Sequence, residues 1–386
     1  MANPDPYLAE INALTYQEIY PDALYDNFFK RSALLAYFRD HAYEPYRGGS
    51  FLQFDYAYNP MIGGFYSIGD GFNTNKPQTK TGAVLDMKNL EVNVTEYLEQ
   101  LDMNRGEHAV FSQIRTDLDI AVNTANAIAD IAFYRHGQAS GTNITDNRVK
   151  AINGFSEVIS NGLDPSWDGN IFASYANQTR NGNIGAALNG WVKYGGDSAG
   201  NLGSISYPFL LETYTKASRG ADLNKIGVDH PTIGSTTKAL FDFCLERIQP
   251  QQRFMQERDP IWGQMGFRLQ DAMILPDDYA PSVIYGVNDA NLGNYLPAAF
   301  NSSAMSTITA YSGIPAVATL NVGETFFWVN TTKIKVRISD SKLYGFGWKP
   351  FIMSADNTKV SGQILARINL ECFSPWAFLQ AYGFGS

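Results

Sequence analysis

The sequence predicts an α+β fold, and three features of its 386 residues support that class. A single helix-period stripe of apolar residues runs without a break from about residue 107 to residue 136. Alternation of apolar and polar residues, which is typical of half-buried strands, occurs on both sides of that helix. A stretch rich in Gly and Asn then separates the helix from a second compact region.

The first predicted element is an amphipathic helix over residues 21–41. Its apolar positions near one face are Leu24, Phe28, Leu35 and Phe38. The residues from Tyr46 to Gly49 break the helical pattern, so the helix is expected to end before them.

A long hairpin is predicted next. Its first strand is indicated by alternation through Leu52, Phe54, Tyr56 and Tyr58. Alternation resumes at Leu85 and Met87 and continues through Leu90, Val92 and Val94. The segment from Gly63 to Gly82 is rich in Gly, Asn, Pro and Lys, so we expect a polar, mobile tip.

The long helix is the clearest element of the pattern. Its stripe consists of Val110, Ile114, Leu118, Ala121, Ala125, Ile128 and Ala132, and it stops at Gly137. At ~1.5 Å per residue, a helix of about 30 residues would span about 45 Å. A second apolar set, on other faces, comprises Phe111, Ile120, Ile131 and Phe133. Burial on more than one side predicts a helix that lies along a sheet.

Residues 143–203 are predicted to form loops and short strands because Gly and Asn are frequent there. Helices are predicted over residues 206–218 and 235–248, with Pro250 ending the second. Strands are predicted over residues 225–228 and 265–275, with Pro276, Asp277 and Asp278 as the following turn.

The last part of the chain is predicted to be rich in strands. One strand alternates Ile334, Val336 and Ile338 with the basic residues Lys333, Lys335 and Arg337. Another runs from Gln363 to Cys372 and ends before Pro375. The basic face is either a solvated strand face or a rim that meets acidic neighbours in an assembly.

The composition limits the possible functions. Hydrophobic residues make up 45% and charged residues 17% of the chain, as in a folded globular protein. The net charge of -9 argues against a protein whose main task is to grip phosphates, although a wall that merely encloses nucleic acid is compatible with it. With 22 Tyr, 24 Phe and 6 Trp, the aromatic area can serve either interfaces or a core.

The two cysteines, Cys244 and Cys372, lie far apart in sequence and predict neither a zinc site nor a disulfide scaffold. The first residues show no basic segment followed by an apolar one, and no window approaches a membrane-spanning run. Assembly in the cytoplasm is therefore expected.

No catalytic, cofactor-binding or metal-binding residue is predicted, and the chain is not expected to be an enzyme. The sequence contains no Gly-Lys pair for a phosphate loop. Its histidines are scattered and are interpreted as surface or capping residues: His41, His108, His136 and His230. The adjacent Asp277 and Asp278 are explained by the turn after Pro276 without acid/base work.

One segment imitates the first half of a calcium loop, through Asp164, Ser166, Asp168 and Gly169. The position that needs a bidentate Glu is occupied by Tyr175. A tight turn is therefore the favoured interpretation.

Taken in order, these segments resemble a tailed-bacteriophage major capsid protein of the Hong Kong phage type. Particular stretches are similar as well: GADLNKIGVDHPTIGSTTKALFDF followed by QPQQRF, and later FFWVNTTKIKVRI and ARINLECFSP. The resemblance covers nearly the whole chain and rests on the order of the elements more than on invariant residues.

The resemblance implies an N-terminal arm over residues 1–49, an extended hairpin called the E-loop over 50–83, a P-domain that begins with 84–142 and contains a spine helix over 107–136, an A-domain over 143–318, and returning P-domain strands over 319–386. It also implies self-assembly into pentamers and hexamers that form the icosahedral head shell. That shell would enclose double-stranded DNA without binding it specifically. Further implied partners are a portal and separate scaffolding or decoration proteins, with no membrane, in a virion assembled in the host cytoplasm.

Two features of the family are not expected here. Some relatives carry a long helical N-terminal scaffold that is cut away, whereas this sequence reaches its arm almost at once. Some relatives also crosslink an E-loop Lys to a P-domain Asn, and Lys76 or Lys80 with Asn357 would be the corresponding residues. A solvated charged tip is the favoured interpretation of these lysines.

Two other functions stay open from the sequence. An encapsulin-like compartment would share the fold and hold cargo enzymes instead of DNA. A soluble carbohydrate-active protein would use aromatic, Asn and Asp side chains in a sugar groove, and it needs a pair of carboxylates at a cleft.

Overall fold

The computed structural model describes residues 33–49, 51–58, 61–71, 74–97, 107–137, 151–168, 170–180, 188–197, 201–218, 230–248, 256–258, 265–281, 323–353 and 359–385. The α-helices in these ranges are α1 (Ala33–His41), α2 (Glu107–Tyr134), α3 (Phe155–Val158), α4 (Tyr207–Ser218) and α5 (Lys238–Ile248). The strands before the middle of the chain are β1 (Tyr43–Tyr46), β2 (Phe51–Ala57), β3 (Lys80–Asp86), β4 (Lys88–Tyr97), β5 (Ser174–Tyr175), β6 (Gln178–Thr179) and β7 (Trp191–Tyr194). The later strands are β8 (Ile233–Thr236), β9 (Gln256–Arg258), β10 (Met265–Leu269), β11 (Ala272–Pro276), β12 (Glu324–Val329), β13 (Ile334–Ser339), β14 (Gly345–Met353), β15 (Lys359–Cys372) and β16 (Leu379–Phe384).

The predicted first helix is confirmed over α1, where Leu35 and Phe38 are fully buried. The rest of that prediction, with Leu24 and Phe28, lies outside the described residues. Strand β1 follows directly and pairs in parallel with β13. The sequence did not indicate β1, because a four-residue strand with little alternation resembles a loop.

The predicted hairpin consists of β2 and β3, which pair antiparallel from Phe51 opposite Asp86 to Ala57 opposite Lys80. The alternation of β2 is confirmed, with Leu52, Phe54 and Tyr56 buried. The apolar pattern from Leu85 to Val94 nevertheless belongs to two strands. The chain changes sheet at Met87, and β4 pairs with β15 instead of β2.

Helix α2 confirms the long helix and ends at Tyr134, two residues before the predicted end. Its middle packs on one face of a sheet, where Leu118 and Ala121 join Val94, Trp348 and Ile364 in one apolar cluster. Burial on several faces is confirmed only for the last turns, since Ile131 and Phe133 are buried whereas Ile120 is 55% exposed. The last turns enter the main core, while the middle of the helix has one covered side.

Gly137 marks the end of the helical segment for a steric reason. A Cβ at this position would collide with the backbone carbonyls of Ala151 and Ile152. The chain can therefore turn closely past residues 151–152 only with glycine here. None of the helices in the described part of the chain combines the length and apolar character needed to cross a bilayer.

One sheet is organised around the long strand β15, which pairs antiparallel with β4, β13 and β14. The predicted strand over 363–372 is confirmed and begins earlier, at Lys359. The alternation of β13 is confirmed too, with Ile334, Val336 and Ile338 all buried.

The second sheet has the order β7-β16-β12-β8-β11-β10-β9. Helices α4 and α5 pack against it through an apolar cluster that includes Leu210, Leu240, Phe326 and Trp328. The helix predicted over 206–218 is confirmed as α4, and the strand segment after Met265 forms β10 and β11.

The predicted start of the helix over 235–248 is wrong. Ser235 and Thr236 belong to β8, which is buried at every residue because it lies between β11 and β12. The helix begins at Lys238, where the Thr237 side chain accepts a hydrogen bond from the Leu240 amide at 3.4 Å.

Residues between 151 and 197 form α3, the two-residue strands β5 and β6, and β7, in agreement with the short elements predicted there. The strand predicted over 225–228 lies outside the described residues, as does Pro250. The main core joins this segment to α1, the end of α2, β13 and β15.

Candidate assembly surface

The part of the hairpin beyond β2 and β3 exposes an unusual amount of apolar surface. Here this surface is called the apolar tip and comprises Met61, Ile62, Phe65, Tyr66 and Ile68. Phe65 and Ile68 are completely exposed, at 111% and 105% of the reference area. Contiguous exposed apolar surface of this kind is typical of a protein interaction site.

The expectation of a polar tip is therefore wrong for residues 61–68. Gly, Asn, Pro and Lys dominate the composition of the whole segment, whereas its large apolar residues all lie in the first half. The average composition of a segment of this length does not reveal such a cluster. A residue-by-residue count of exposed aromatic and aliphatic side chains would have found it.

A tight turn shapes the end of the apolar tip. The backbone N–H of Ser67 donates to the Asp70 carboxylate at 2.7 Å, and the Asp70 N–H donates back to the Ser67 carbonyl at 3.0 Å. Gly69 adopts a φ of +99°, in the region that favours glycine. Ile68 is thus held at the apex of the turn.

The base of the hairpin is buried, in contrast to its tip. The Tyr56 hydroxyl donates to the Cys372 carbonyl at 2.6 Å, and the rings of Phe54 and Phe373 meet edge to face at 5.5 Å. Burial raises the pKa of Tyr56 well above its usual value, so the phenol stays a hydrogen-bond donor. The base is therefore fixed to the core, while the apolar tip projects from it.

A buried polar cluster connects the end of α2 with residues 151–180. His136 Nδ1 lies 2.5 Å from Asp168 Oδ2, and both side chains are almost fully buried. Burial opposes ionisation of Asp168, but the neighbouring His136 holds its pKa below the usual value. The interpretation of His136 as a surface or capping residue is therefore wrong. Its position just after a helix gave no sign in the sequence that it would be buried.

Glu157 lies in the same cluster. The side-chain amide of Asn153 donates to both carboxylate oxygens at 3.0 and 2.9 Å, and the Gly137 N–H donates to Oε2 at 3.3 Å. Burial raises the pKa of Glu157 despite these donors.

Arg180 has no exposed surface and binds backbone carbonyl groups. Its guanidinium donates at 2.5 Å to the carbonyls of Ser160 and Glu157, and also to the carbonyl of Leu188. The sequence gave no signal for this role, because a single Arg in a Gly- and Asn-rich stretch is normally solvated.

The basic strand face of β13 is neutralised within the chain. Arg337 contacts Glu44 at 2.6 Å and Glu371 at 2.5 Å, and Lys335 also pairs with Glu44. The acidic partners of a predicted rim are thus supplied by β1 and β15 of the same molecule. A solvated face is the wrong interpretation for Arg337, whose side chain is only 17% exposed.

The predicted tight turn is confirmed at residues 167–168, where the Asn170 N–H donates to the Asp168 carboxylate at 3.2 Å, and a second turn precedes it. Asn161 accepts backbone N–H bonds from Leu163 and Asp164, and its amide donates to the Asp164 carboxylate at 2.6 Å. Tyr175 points into the core, where its hydroxyl accepts a bond from the Cys372 N–H at 3.3 Å. No group of three or more His, Cys, Asp or Glu within the described ranges is arranged to hold a metal ion.

Asp277 is buried at the start of the turn that the sequence predicts after Pro276. It accepts a hydrogen bond from the Tyr134 hydroxyl at 2.9 Å, and the same hydroxyl lies 2.5 Å from Ser235 Oγ. Asp278 is exposed, so the two adjacent carboxylates have different environments. Burial and the nearby Asp277 raise the pKa of Tyr134 well above its usual value.

The remaining residues singled out in the sequence lie apart from one another. His41 stacks on Tyr37 with ring centroids 4.2 Å apart, and His230 lies 3.9 Å from Asp271. Lys76 and Lys80 are exposed. The His108 side chain and Asn357 lie outside the described residues, and Cys244 and Cys372 are buried free thiols.

No family model matches the chain, and no curated protein sequence matches it. Among solved structures, the capsid of Cyanophage A-1(L) aligns with a TM-score of 0.52 at 9% identity, covering 89% of this chain and 90% of that chain. The SrpI encapsulin of Synechococcus elongatus PCC 7942 aligns with a TM-score of 0.49 at 9% identity, over 90% of this chain and 86% of that chain. The capsid of a native GTA particle aligns with a TM-score of 0.47 at 10% identity, over 90% and 89% of the two chains.

The fold assignment rests on the cyanophage capsid. That alignment extends over nearly the whole of both chains. Because the identity is low, the likeness bears on the arrangement of elements and not on individual residues. The α+β fold implied by the resemblance is confirmed, and the chain has the fold of a tailed-phage capsid subunit.

Proposed function

We propose that this chain is a major capsid protein that self-assembles into pentamers and hexamers and forms the icosahedral head shell of a tailed phage. The observation that carries the proposal is the apolar tip, which projects from a buried base in a capsid fold. A surface of this kind is unfavourable in water and is suited to burial against another copy.

The energetics favour repeated contacts over a single pair. Burial of an exposed Phe or Ile side chain contributes about 1.5–3 kcal/mol. Association also costs about 4–15 kcal/mol in lost rigid-body freedom. One tip therefore gives a weak contact, and a closed shell in which each subunit makes several contacts becomes stable.

The division of the chain follows the same proposal. The arm would be residues 1–49, the E-loop 50–83, the P-domain 84–142 with 319–386, and the A-domain 143–318. The shell would hold double-stranded DNA without specific contacts. A portal and separate scaffolding or decoration proteins would be its other partners, in a virion assembled in the host cytoplasm.

The protein would serve as structural material and not as an enzyme. The capsid fold supports a structural role. The buried ionisable groups His136, Asp168 and Glu157 support this assignment, since each is hydrogen-bonded within the core and all three are almost fully buried.

Electron microscopy and analytical ultracentrifugation of the purified protein test the proposal. We expect shells, or free pentamers and hexamers, and we expect a chain that lacks residues 63–82 to stay folded and assemble poorly. Normal shells from the deleted chain would remove the E-loop assignment. A chain that stays monomeric at every salt concentration and pH, with and without co-expressed phage head proteins, would contradict the capsid function.

A second experiment distinguishes a phage head from an encapsulin-like compartment. Shells are purified from infected cells, or from cells that co-express a packaging system, and their nucleic acid content is measured. Filled shells with protected double-stranded DNA agree with the phage head. Shells that instead retain a specific host enzyme would indicate an encapsulin-like compartment.

A further inference from the structure

The short hairpin formed by β5 and β6 lies against the free edge of β3. The Gln178 side-chain amide donates to the Gly82 carbonyl at 2.6 Å, and the Val84 N–H donates to the Ala176 carbonyl at 3.1 Å. Because backbone groups of alternate residues point to the same side of a strand, these two groups both face away from β2. The short hairpin thus provides hydrogen-bond partners for the edge of β3 that does not pair with β2.

The turn between β5 and β6 gives these contacts their geometry. Tyr175 pairs with Gln178 across a two-residue loop, and both loop residues are left-handed, with φ of +49° at Ala176 and +62° at Asn177. Two-residue hairpin loops use this conformation, but a residue such as Ala rarely adopts it. Ala176 is buried here and directs its carbonyl at Val84.

The short hairpin is itself firmly held. The Tyr175 hydroxyl accepts the Cys372 N–H at 3.3 Å, next to the carbonyl that Tyr56 of the projecting hairpin binds. On the other side, the Arg180 N–H donates to the Ala173 carbonyl at 2.9 Å, and the Arg180 guanidinium is fixed by buried carbonyls. The two hairpins are therefore anchored to the same end of β15.

We propose that the β5–β6 hairpin is a clamp that sets the direction in which the projecting hairpin presents its apolar tip. Gln178 and the left-handed Asn177 are its positioning residues. The effect of the clamp on shell assembly rests on the proposed function, whereas its effect on the direction of the tip does not.

A clamp at this place can control the orientation of the projecting hairpin, because that hairpin has only two strands. Two-stranded hairpins are marginally stable without a neighbour. The ten residues from Tyr58 to Ser67 can reach at most about 30 Å at ~3.3 Å per residue, so a small rotation at the base moves the tip by several ångströms. Orientation at the base therefore decides whether the tip meets its target on another copy.

The direct test is a distance measurement between spin labels on the full chain, in conditions that keep it unassembled. One label replaces Ser67 at the tip and the other replaces Thr95 on β4, and both positions are exposed. The native thiols stay unlabelled because burial raises the pKa of Cys244 and Cys372 to about 12. The clamp is weakened with Asn177→Val, whose branched side chain disfavours a left-handed backbone, together with Gln178→Ala.

We expect the clamp variant to keep its unfolding transition while the width of the distance distribution grows by about twofold or more. Asn177→Gly accepts the left-handed turn and should keep the parent width. The matched control is Gln363→Ala, which removes an amide bond to Asn93 of 2.8 Å on a different strand pair and should also keep the parent width.

An unchanged distribution in the clamp variant overturns the inference, and so does equal broadening in the Gln363→Ala control. The labels report on the single chain, so this result holds whether or not shells form. Shell yield is measured separately, with the clamp variant expected to fall and Asn177→Gly expected to match the parent. Loss of shells in the parent chain would count against the proposed function and leave the distance result intact.

Discussion

The apolar tip and the buried polar cluster of residues 151–180 both reverse the usual distribution of side chains. Large apolar residues such as Phe65 and Ile68 lie fully in solvent, whereas ionisable groups such as Arg180 and Glu157 lie in the interior. The exposed apolar set is suited to a contact between copies, and the buried polar set fixes the element that carries it. The difference separates assembly from folding, so changes in the two regions should affect different measurements.

The largest expected effect is on assembly, from Phe65→Ser with Ile68→Ser. If both side chains are buried between copies, each contributes about 1.5–3 kcal/mol, and the concentration needed for assembly rises by at least about 100-fold. The unfolding midpoint of the single chain should not move. Light scattering against protein concentration measures the first quantity and urea unfolding the second.

The matched control for the tip is Leu163→Ser, since Leu163 is 51% exposed and lies outside the hairpin. This variant should assemble like the parent. An equal loss in the control would show that general surface hydrophobicity, and not the apolar tip, drives association.

The second effect is on folding, from Arg180→Met. The substitution removes the charged hydrogen bonds to the buried carbonyls of Glu157, Ser160 and Leu188, and we expect a loss of about 3–5 kcal/mol in the free energy of unfolding. Lys193→Met is the comparison, because the Lys193 pair with Glu212 is partly exposed and should contribute at most about 1 kcal/mol. Similar losses in the two variants would contradict the structural role of Arg180.

A third, smaller effect concerns pH and Asp168→Asn. The folded pKa of Asp168 is lowered, so its charge stabilises the fold above the usual Asp range and this contribution is lost as the pH falls through the folded pKa. We expect the parent to be more stable by about 2–3 kcal/mol at pH 7 and the difference to shrink under acid conditions. Urea unfolding at several pH values measures it, and a constant difference down to strong acid would show that the Asp168 charge does not stabilise the fold.

Glu157→Gln should show the opposite dependence on pH. Burial raises the pKa of Glu157, so its protonation stabilises the fold, and this contribution is lost as the pH rises through the folded pKa. The parent should therefore lose stability relative to Glu157→Gln between mildly acid and neutral pH. The net change at pH 7 should be within about 1 kcal/mol, because Gln keeps one acceptor for Asn153.

The regular elements could be predicted because burial on one side leaves a period in the sequence. Strands β2 and β13 alternate, and α2 carries a stripe. Strands β12 and β16 are buried at every residue, so they have no period to detect. The order of the elements, and the fold with it, could still be predicted from the whole sequence.

The buried polar cluster could not be predicted, since its members come from separate segments. His136 and Asp168 meet only because α2 ends beside the turn at residues 167–168, and neither residue has a local pattern that requires the other. The apolar tip could in principle have been predicted, because Met61, Phe65 and Ile68 lie within one short segment of the sequence. Whether these side chains are exposed depends on the fold. In the described part of the hairpin no neighbouring strand covers them.

The smallest effect is expected for Glu44→Gln, which tests whether the basic face of β13 belongs with the buried or with the exposed charges. The hydrogen bond from Lys335 lowers the pKa of Glu44, yet its side chain is 37% exposed, so water and salt screen the pair. We expect a loss of at most about 1 kcal/mol that disappears in about 1 M salt. A loss several times larger that persists in salt would place the network of Glu44, Arg337 and Glu371 with the buried cluster and make β1 a principal anchor of the sheet.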